Sequence, residues 1–285
     1  MSQSIAKTRV VRLRQTIQLV RRRRRPVPVA MRLVLGLAFL IGVGTGVLLL
    51  PGMTRQPISF MDAWFTATSA AAITGLSVLT TSTDFTRLGQ IVLLCLIQLG
   101  GVGYMVLVAL TLQILGRRVS LLDRLAVSSS LGMDKSAAIF TLLQRVVVGM
   151  FIIEGLGALL LYLHWRSSGI VSADRAAFYA IFHAVSAFCN AGFDLFAGLP
   201  QYPDGIPGDS VTLLILGFLV ILGGLGIPVF LDFSQWRTRR RLSLHTQITL
   251  IVVVFLTILG WIGLFVAETK TGGVLSDAVF RERLV

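Results

Sequence analysis

Two short stretches of the chain have residue types and spacing suited to holding a cation through backbone oxygen. Ile73-Thr74-Gly75-Leu76 closes the run TSAAAITGL at residues 68–76, and Asn190-Ala191-Gly192-Phe193 closes VSAFCNAGF at residues 185–193. A glycine admits positive φ and lets the backbone approach an ion, and carbonyls turned toward one axis can replace a cation's hydration shell. Other chemistry has little support. His164, His183 and His245 lie in separate regions with no Cys/Asp/Glu set to complete a metal site. Cys95 and Cys189 sit inside apolar runs, where they form neither a disulfide framework nor a ligand pair. There is no Walker phosphate loop, no H-E-x-x-H and no supported Ser-His-Asp order, so neither an enzyme nor a bound cofactor is expected. His183, one turn before the second stretch, reads as a hydrogen-bonding or packing residue of a helix. Glu154, in the middle of an apolar run, is costly unless it faces protein or water; a functional role and a pairing with a neighbouring helix both stay open.

The elements that must position these stretches are membrane elements. The 285 residues are 55% hydrophobic and only 14% charged, with a mean hydropathy of +0.83, too apolar for a soluble domain. A spanning helix takes about 20 apolar residues, and five runs qualify: Leu33–Leu50, Leu88–Leu115, Ala137–Leu163, Val211–Leu231 and Gln247–Ala267. The first has a basic run before it, but PGMTRQP follows in place of a small-residue cleavage site, so it reads as a retained helix and not a signal peptide. Between the first and second runs, and again between the third and fourth, lie the shorter segments Phe60–Ile73 and Ala176–Asn190. Each is too short to cross a bilayer alone, and each leads into a glycine.

The net charge of +13 is topogenic in its distribution, which argues against nucleic acid as a partner. Basic residues cluster before and at the start of the first run (Lys7, Arg9, Arg12, Arg14, Arg21 to Arg25, Arg32), after the second (Arg117, Arg118, Arg124, Lys135) and after the fourth (Arg237, Arg239, Arg240, Arg241). By the positive-inside rule these regions are cytoplasmic, the amino terminus is inside, and both short segments enter from the outer side of the plasma (inner) membrane. The arginines at 21–25 also suit contact with membrane lipid. The outer side then holds Asp62, Asp84, Asp174, Asp194, Asp204, Asp209, Glu268, Asp277 and Glu282, a face that concentrates cations.

The chain repeats itself. At an offset of 117, Phe65 meets Phe182, Ala67 meets Ala184, Ser69 meets Ser186, Ala70 meets Ala187 and Gly75 meets Gly192; after six more residues of offset LGGVG at 99–103 meets LGGLG at 222–226. Both units begin and end inside, so they are parallel repeats about an axis along the membrane normal. Irregular backbone at membrane depth is tolerated only where it is buried in protein or lines a wet cavity, which is where a re-entrant loop sits. Residues 59–72 suit a short helix, with Ser59 as N-cap and Asp62 in its first turn. The GGVG and GGLG runs suit close helix packing, with a hinge or gate as the alternative.

SAAAITGL in the first unit, SAFCNAGF in the second, and QLGGVG or ILGGLG in the helix after each resemble the Trk/Ktr/HKT superfamily of potassium transporters, across residues 30–267. A single span before the first loop is similar to the Ktr branch. The resemblance implies an all-α membrane protein with tandem parallel span, re-entrant loop, span repeats around a pore, four such units surrounding one ion path. It implies that Ile73, Thr74, Gly75, Leu76, Asn190, Ala191, Gly192 and Phe193 belong to a K+ selectivity filter. It further implies K+ as the transported ion, a homodimer in the full-length form and a cytosolic nucleotide-binding regulatory subunit of the RCK type. Serine at the first filter position goes with sodium preference in the plant branch; glycine here favours K+, with Na+ or mixed K+/Na+ transport as the alternative.

The expected segments are a basic amino-terminal segment (1–32), a first repeat (33–116), a cytoplasmic loop (117–136), a second repeat (137–233), a basic loop (234–246) and the first helix of an incomplete third repeat (247–285). SDAVF at 276–280 resembles MDAWF at 61–65, so a third unit starts before Val285. The chain therefore reads as truncated after about two of four repeats, and a non-conducting truncated or structural membrane protein stays as the further alternative.

Overall fold

The computed structural model describes residues 29–103, 139–203, 205–226, 228–230, 232–233, 236 and 241–268. The basic segment before residue 29, the loop 117–136, Arg237, Arg239, Arg240, Asp204, Asp277, Glu282 and the SDAVF run lie outside the described residues. Among the described residues seven helices run in order: α1 (Val29–Leu48), α2 (Phe60–Ala72), α3 (Arg87–Gly101), α4 (Ile139–Ser167), α5 (Ala173–Phe188), α6 (Ser210–Gly224) and α7 (Leu244–Glu268). Among the described residues there is no β-strand, only the isolated bridges Thr54–Phe85 and Leu199–Tyr202. Stretches within α4 and α7, Gln144–Ser167 and Leu244–Ala267, are long and apolar enough to cross a membrane.

Local chemistry explains where the helices start. Ser59 caps α2 reciprocally: its hydroxyl accepts from the Asp62 amide and its own amide donates to the Asp62 carboxylate, both at 3.2 Å. Thr86 caps α3 by accepting from the Gly89 amide at 3.3 Å, and Asp209 caps α6 by accepting from the Thr212 amide at 3.0 Å. The helices then assemble in two triplets. α1, α2 and α3 pack on one another, as do α4, α5 and α6, and α3 against α5 joins them. Small residues make the contacts of α2 possible, since its buried face is Ala63, Thr66, Ala67, Ser69, Ala70 and Ala71. The apolar window of α7, by contrast, is not buried at all.

The runs Leu88–Leu115 and Val211–Leu231 are not single uninterrupted helices. α3 closes at Gly101 and α6 at Gly224, and Gly103 (φ 82°) and Gly226 (φ 79°) then take the left-handed conformation that ends a helix. The glycine runs combine this break with close packing. A Cβ on Gly100 would collide with the Ala71 carbonyl oxygen at the end of α2, and one on Gly223 with the Phe188 carbonyl oxygen at the end of α5.

Candidate functional site

The segments after α2 and α5 leave their helices in the same way. Ile73, the residue after α2, has φ 50° and ψ 46°, and Asn190, 117 residues later, has φ 57°. They are the non-glycine residues with positive φ among those described. Two residues on, Gly75 and Gly192 have φ 74° and 72°. The amide of Thr74 donates to the Ser69 carbonyl at 3.0 Å, and its counterpart Ala191 donates to the Ser186 carbonyl at 2.8 Å. Each segment is thus a left-handed turn with one intervening residue before a glycine, tied back to its short helix by the same bond. Asparagine tolerates the left-handed region and Asn190 therefore signals it; for the β-branched Ile73 no sequence signal exists.

The structure brings the two predicted stretches together. A Cβ on Gly75 would stand 3.1 Å from the Ala191 carbonyl oxygen and 3.4 Å from the Gly192 Cα, and one on Gly192 would stand 3.0 Å from the Gly75 Cα. Ala191 and Phe193 are buried, and Leu76 is exposed. Side chains hold the two stretches differently. Thr74 donates its hydroxyl to Ser69 at 2.9 Å, whereas Ser186 donates its hydroxyl to the Phe193 carbonyl at 2.8 Å. The Asn190 amide group reaches the carbonyls of Phe188 and Val220, each at 3.4 Å.

Behind the second stretch, His183 is almost wholly buried. Its Nδ1 lies 2.7 Å from the Tyr179 carbonyl and its Nε2 lies 2.9 Å from the Asp194 carboxylate. Asp194 also accepts from the amides of Phe196 at 2.7 Å and Ala197 at 3.0 Å. Burial pushes the Asp194 carboxyl up, but the bond and charge of His183, with these two amides, outweigh it and hold the group below its ordinary range. His183 is therefore the hydrogen-bonding residue its position suggests. Its tie to Asp194 could not be read from the sequence.

Glu154 resolves in favour of pairing. The α4 carboxylate is buried and accepts from the Gln98 amide of α3 at 3.1 Å to each oxygen, with the Cys189 thiol 3.9 Å away. Three elements meet there: α3, α4 and the end of α5. Two outer ties complete the frame. His164 lies 2.6 Å from Asp209, and the Trp165 indole donates to Thr212 at 2.8 Å. Among the described residues no group of three or more His, Cys, Asp or Glu side chains could hold a metal ion.

The family model that matches residues 40–268 is that of TrkH, a cation transport protein. The chain belongs to the TrkH family. It is a transporter-family membrane protein and not an enzyme. The chain is 35% identical over 252 residues to Ktr system potassium uptake protein B of Bacillus subtilis, covering 85% of this chain and 54% of that protein. It is 37% identical over 205 residues to the protein of the same name from Vibrio alginolyticus, covering 70% of this chain and 44% of that one. Against the potassium/sodium uptake protein NtpJ of Enterococcus hirae it is 32% identical over 274 residues, 94% of this chain and 58% of that protein. The TrkH-family chain thus spans about half the length of these relatives.

Proposed function

We propose that this chain contributes part of the ion path of a potassium transporter, with the backbone around Gly75 and Gly192 as two units of its selectivity filter. The observation that carries the reading is the meeting of two equivalent left-handed segments at their glycines, Cα facing Cα, each following a short helix. Backbone oxygen is then available at one place from two directions, and a dehydrated K+ needs several such oxygens. α2 and α5 act as pore helices of re-entrant loops, entering from the outer side of a multi-pass plasma membrane protein whose amino terminus is cytoplasmic. Their carboxyl ends aim partial negative charge toward the ion path.

By the family resemblance a closed ring takes four such loops, so these two act with two more. The proposed filter set is Ile73 to Leu76 and Asn190 to Phe193, and the transported K+ is cargo, not a resident cofactor. The relatives' names speak of a Ktr system, which fits a further regulatory component; a nucleotide-binding RCK ring on the cytoplasmic side and a homodimeric assembly are the partners proposed. A mixed K+/Na+ selectivity is the second reading, favoured by the likeness to a potassium/sodium uptake protein.

The test is Gly75→Ser in the complete product of the gene, measured as the K+/Na+ permeability ratio from reversal potentials. A side chain at φ 74°, 3.1 Å from the Ala191 oxygen, displaces the carbonyls of both loops. The ratio falls if the reading is right. An unchanged ratio in a well-expressed variant refutes it, and a wild-type ratio near one selects the mixed reading.

A further inference from the structure

We propose that His183 and Asp194 are positioning residues that fix the register of the second filter loop, and that the first loop has no equivalent device. The proposal rests on the filter reading above and concerns what holds the loop, not what the loop contacts.

His183 and Ser186 lie three residues apart on α5, a spacing that puts both side chains on one face of the helix. The chain leaves α5, turns through Asn190 and Gly192, and comes back along that face. Ser186 donates to the Phe193 carbonyl at 2.8 Å, and His183 meets the very next residue, Asp194, at 2.9 Å. Two consecutive residues after Gly192, Phe193 and Asp194, are therefore latched to two neighbouring positions on one face of the helix, and a slip of one residue would break both latches.

The latch is built to be rigid. The Nδ1 and Nε2 atoms of His183 face oxygen atoms, one a carbonyl of its own helix and one the Asp194 carboxylate, so both edges of the ring are engaged. The His183 side chain is 1% exposed and that of Asp194 16%. Trp165 stands edge-on to the imidazole at a centroid distance of 5.4 Å, and Phe196, Phe182 and Tyr179 lie at 5.0, 5.9 and 6.0 Å. An aromatic wall of this kind excludes water, and a charge-assisted bond is worth more where water cannot compete for it.

The first unit differs at the same places. Thr66 stands 117 residues before His183, and its hydroxyl donates to the Asp62 carbonyl of its own helix at 2.8 Å. Ser69, the counterpart of Ser186, accepts from Thr74 and does not reach forward to the Leu76 carbonyl. The two loops share their turn geometry but not their anchoring: beyond its glycine the second loop is tied back to its helix by Ser186 and His183, and Thr66 and Ser69 make no such bonds in the first.

The experiment measures K+/Na+ permeability ratio, maximal K+ flux and protein abundance in liposomes for the gene's complete product and four variants. Asp194→Asn keeps the shape and one of the two acceptor oxygens that the Phe196 and Ala197 amides use, and it removes the charge that His183 meets; we expect the ratio to fall about tenfold, the size of one charge-assisted bond, with abundance kept. His183→Gln retains a single donor for Asp194 and falls between Asp194→Asn and wild type. It supplies the same readout should Asp194→Asn fail to accumulate. Thr66→Val leaves the ratio unchanged. Gly192→Ser collapses it, which certifies the filter reading itself. An unchanged ratio in both Asp194→Asn and His183→Gln, alongside a collapsed ratio in Gly192→Ser, overturns the latch and spares the filter. An equal fall in Thr66→Val overturns the asymmetry. No effect of Gly192→Ser overturns the filter reading and the latch with it.

Discussion

Two neighbouring glycines at the end of α6 are predicted to answer oppositely to the same added methyl group. At Gly223 a Cβ would sit on the Phe188 carbonyl oxygen, the last residue of α5, and 3.1 Å from the Asn190 amide nitrogen. Contacts below 3.0 Å are essentially never made by a real Cβ, and the obstacle here is backbone, so α5 and α6 must move apart. Overpacking of this kind costs about 1–3 kcal/mol. At Gly224 nothing lies within 4 Å, and alanine there gains about 0.5–1 kcal/mol by stiffening the helix end. The two variants should therefore differ in stability by about 1.5–4 kcal/mol, with Gly223→Ala the weaker. Gly100→Ala should behave like Gly223→Ala, because its Cβ meets the Ala71 carbonyl at the end of α2. Thermal unfolding of the detergent-extracted protein reads the stability, and K+ uptake in a potassium-uptake-deficient bacterium reads the consequence for the ion path. If Gly223→Ala and Gly224→Ala shift the unfolding midpoint alike, close seating of the α5 end is not what Gly223 provides, and the glycine run serves only to break the helix.

Three further outcomes are expected. Glu154→Ala leaves the Gln98 amide without its acceptor in a buried site and costs about 1–3 kcal/mol, while Glu154→Gln costs less; chemical denaturation in micelles compares them. Ser59→Ala removes the hydroxyl half of the reciprocal cap on α2, leaving the backbone bond to Asp62, and lowers stability by about 1 kcal/mol in the same assay, whereas Ser59→Asp retains most of it. Burial pushes the Asp209 carboxyl up, but the Thr212 and His164 bonds outweigh it and depress the group below its ordinary value. The stability Asp209 adds is then full above about pH 4 and is lost as the pH falls through its depressed value, so the gap in unfolding midpoint between wild type and Asp209→Asn should close on acidification; a gap that widens would reverse the sign of the argument.

What the sequence discloses is what short-range spacing can encode. The cap on α2 needs only a serine and an aspartate three residues apart, and Gly75 and Gly192, both with positive φ, follow short apolar segments that repeat at a fixed offset. The same logic accounts for Asn190, whose side chain tolerates a left-handed turn, and fails for Ile73, where the fold imposes that turn on a residue that disfavours it. Two uninterrupted spans were expected where glycine-ended helices stand, because apolar composition continues through LGGVG and LGGLG while the backbone does not. Partners far apart in the chain left no trace at all. Gln98 and Glu154 are 56 residues apart, and only the packing of both α3 and α4 on α5 brings them beside Cys189. His183 and Asp194 are 11 apart, close enough to be noticed, yet the distance says nothing until the turn between them is known to fold back along α5.

The left-handed turn at Ile73 ties these threads together. A β-branched residue at φ 50° is unfavourable by roughly 1–2 kcal/mol, and it persists only where surrounding contacts over-determine the backbone. Those contacts are visible: the Ile73 and Thr74 amides both donate to the Ser69 carbonyl, and the Ala71 carbonyl is seated against Gly100 of α3. Replacing Ile73 by asparagine, the residue found at the equivalent place in the second unit, relieves the strain while keeping the turn. If the turn is a requirement of the ion path, Ile73→Asn should stabilise the protein by about 1 kcal/mol with the K+/Na+ permeability ratio unchanged. A lowered ratio in a stabilised Ile73→Asn variant would mean that the isoleucine side chain itself, and not only the turn it makes, shapes the ion path.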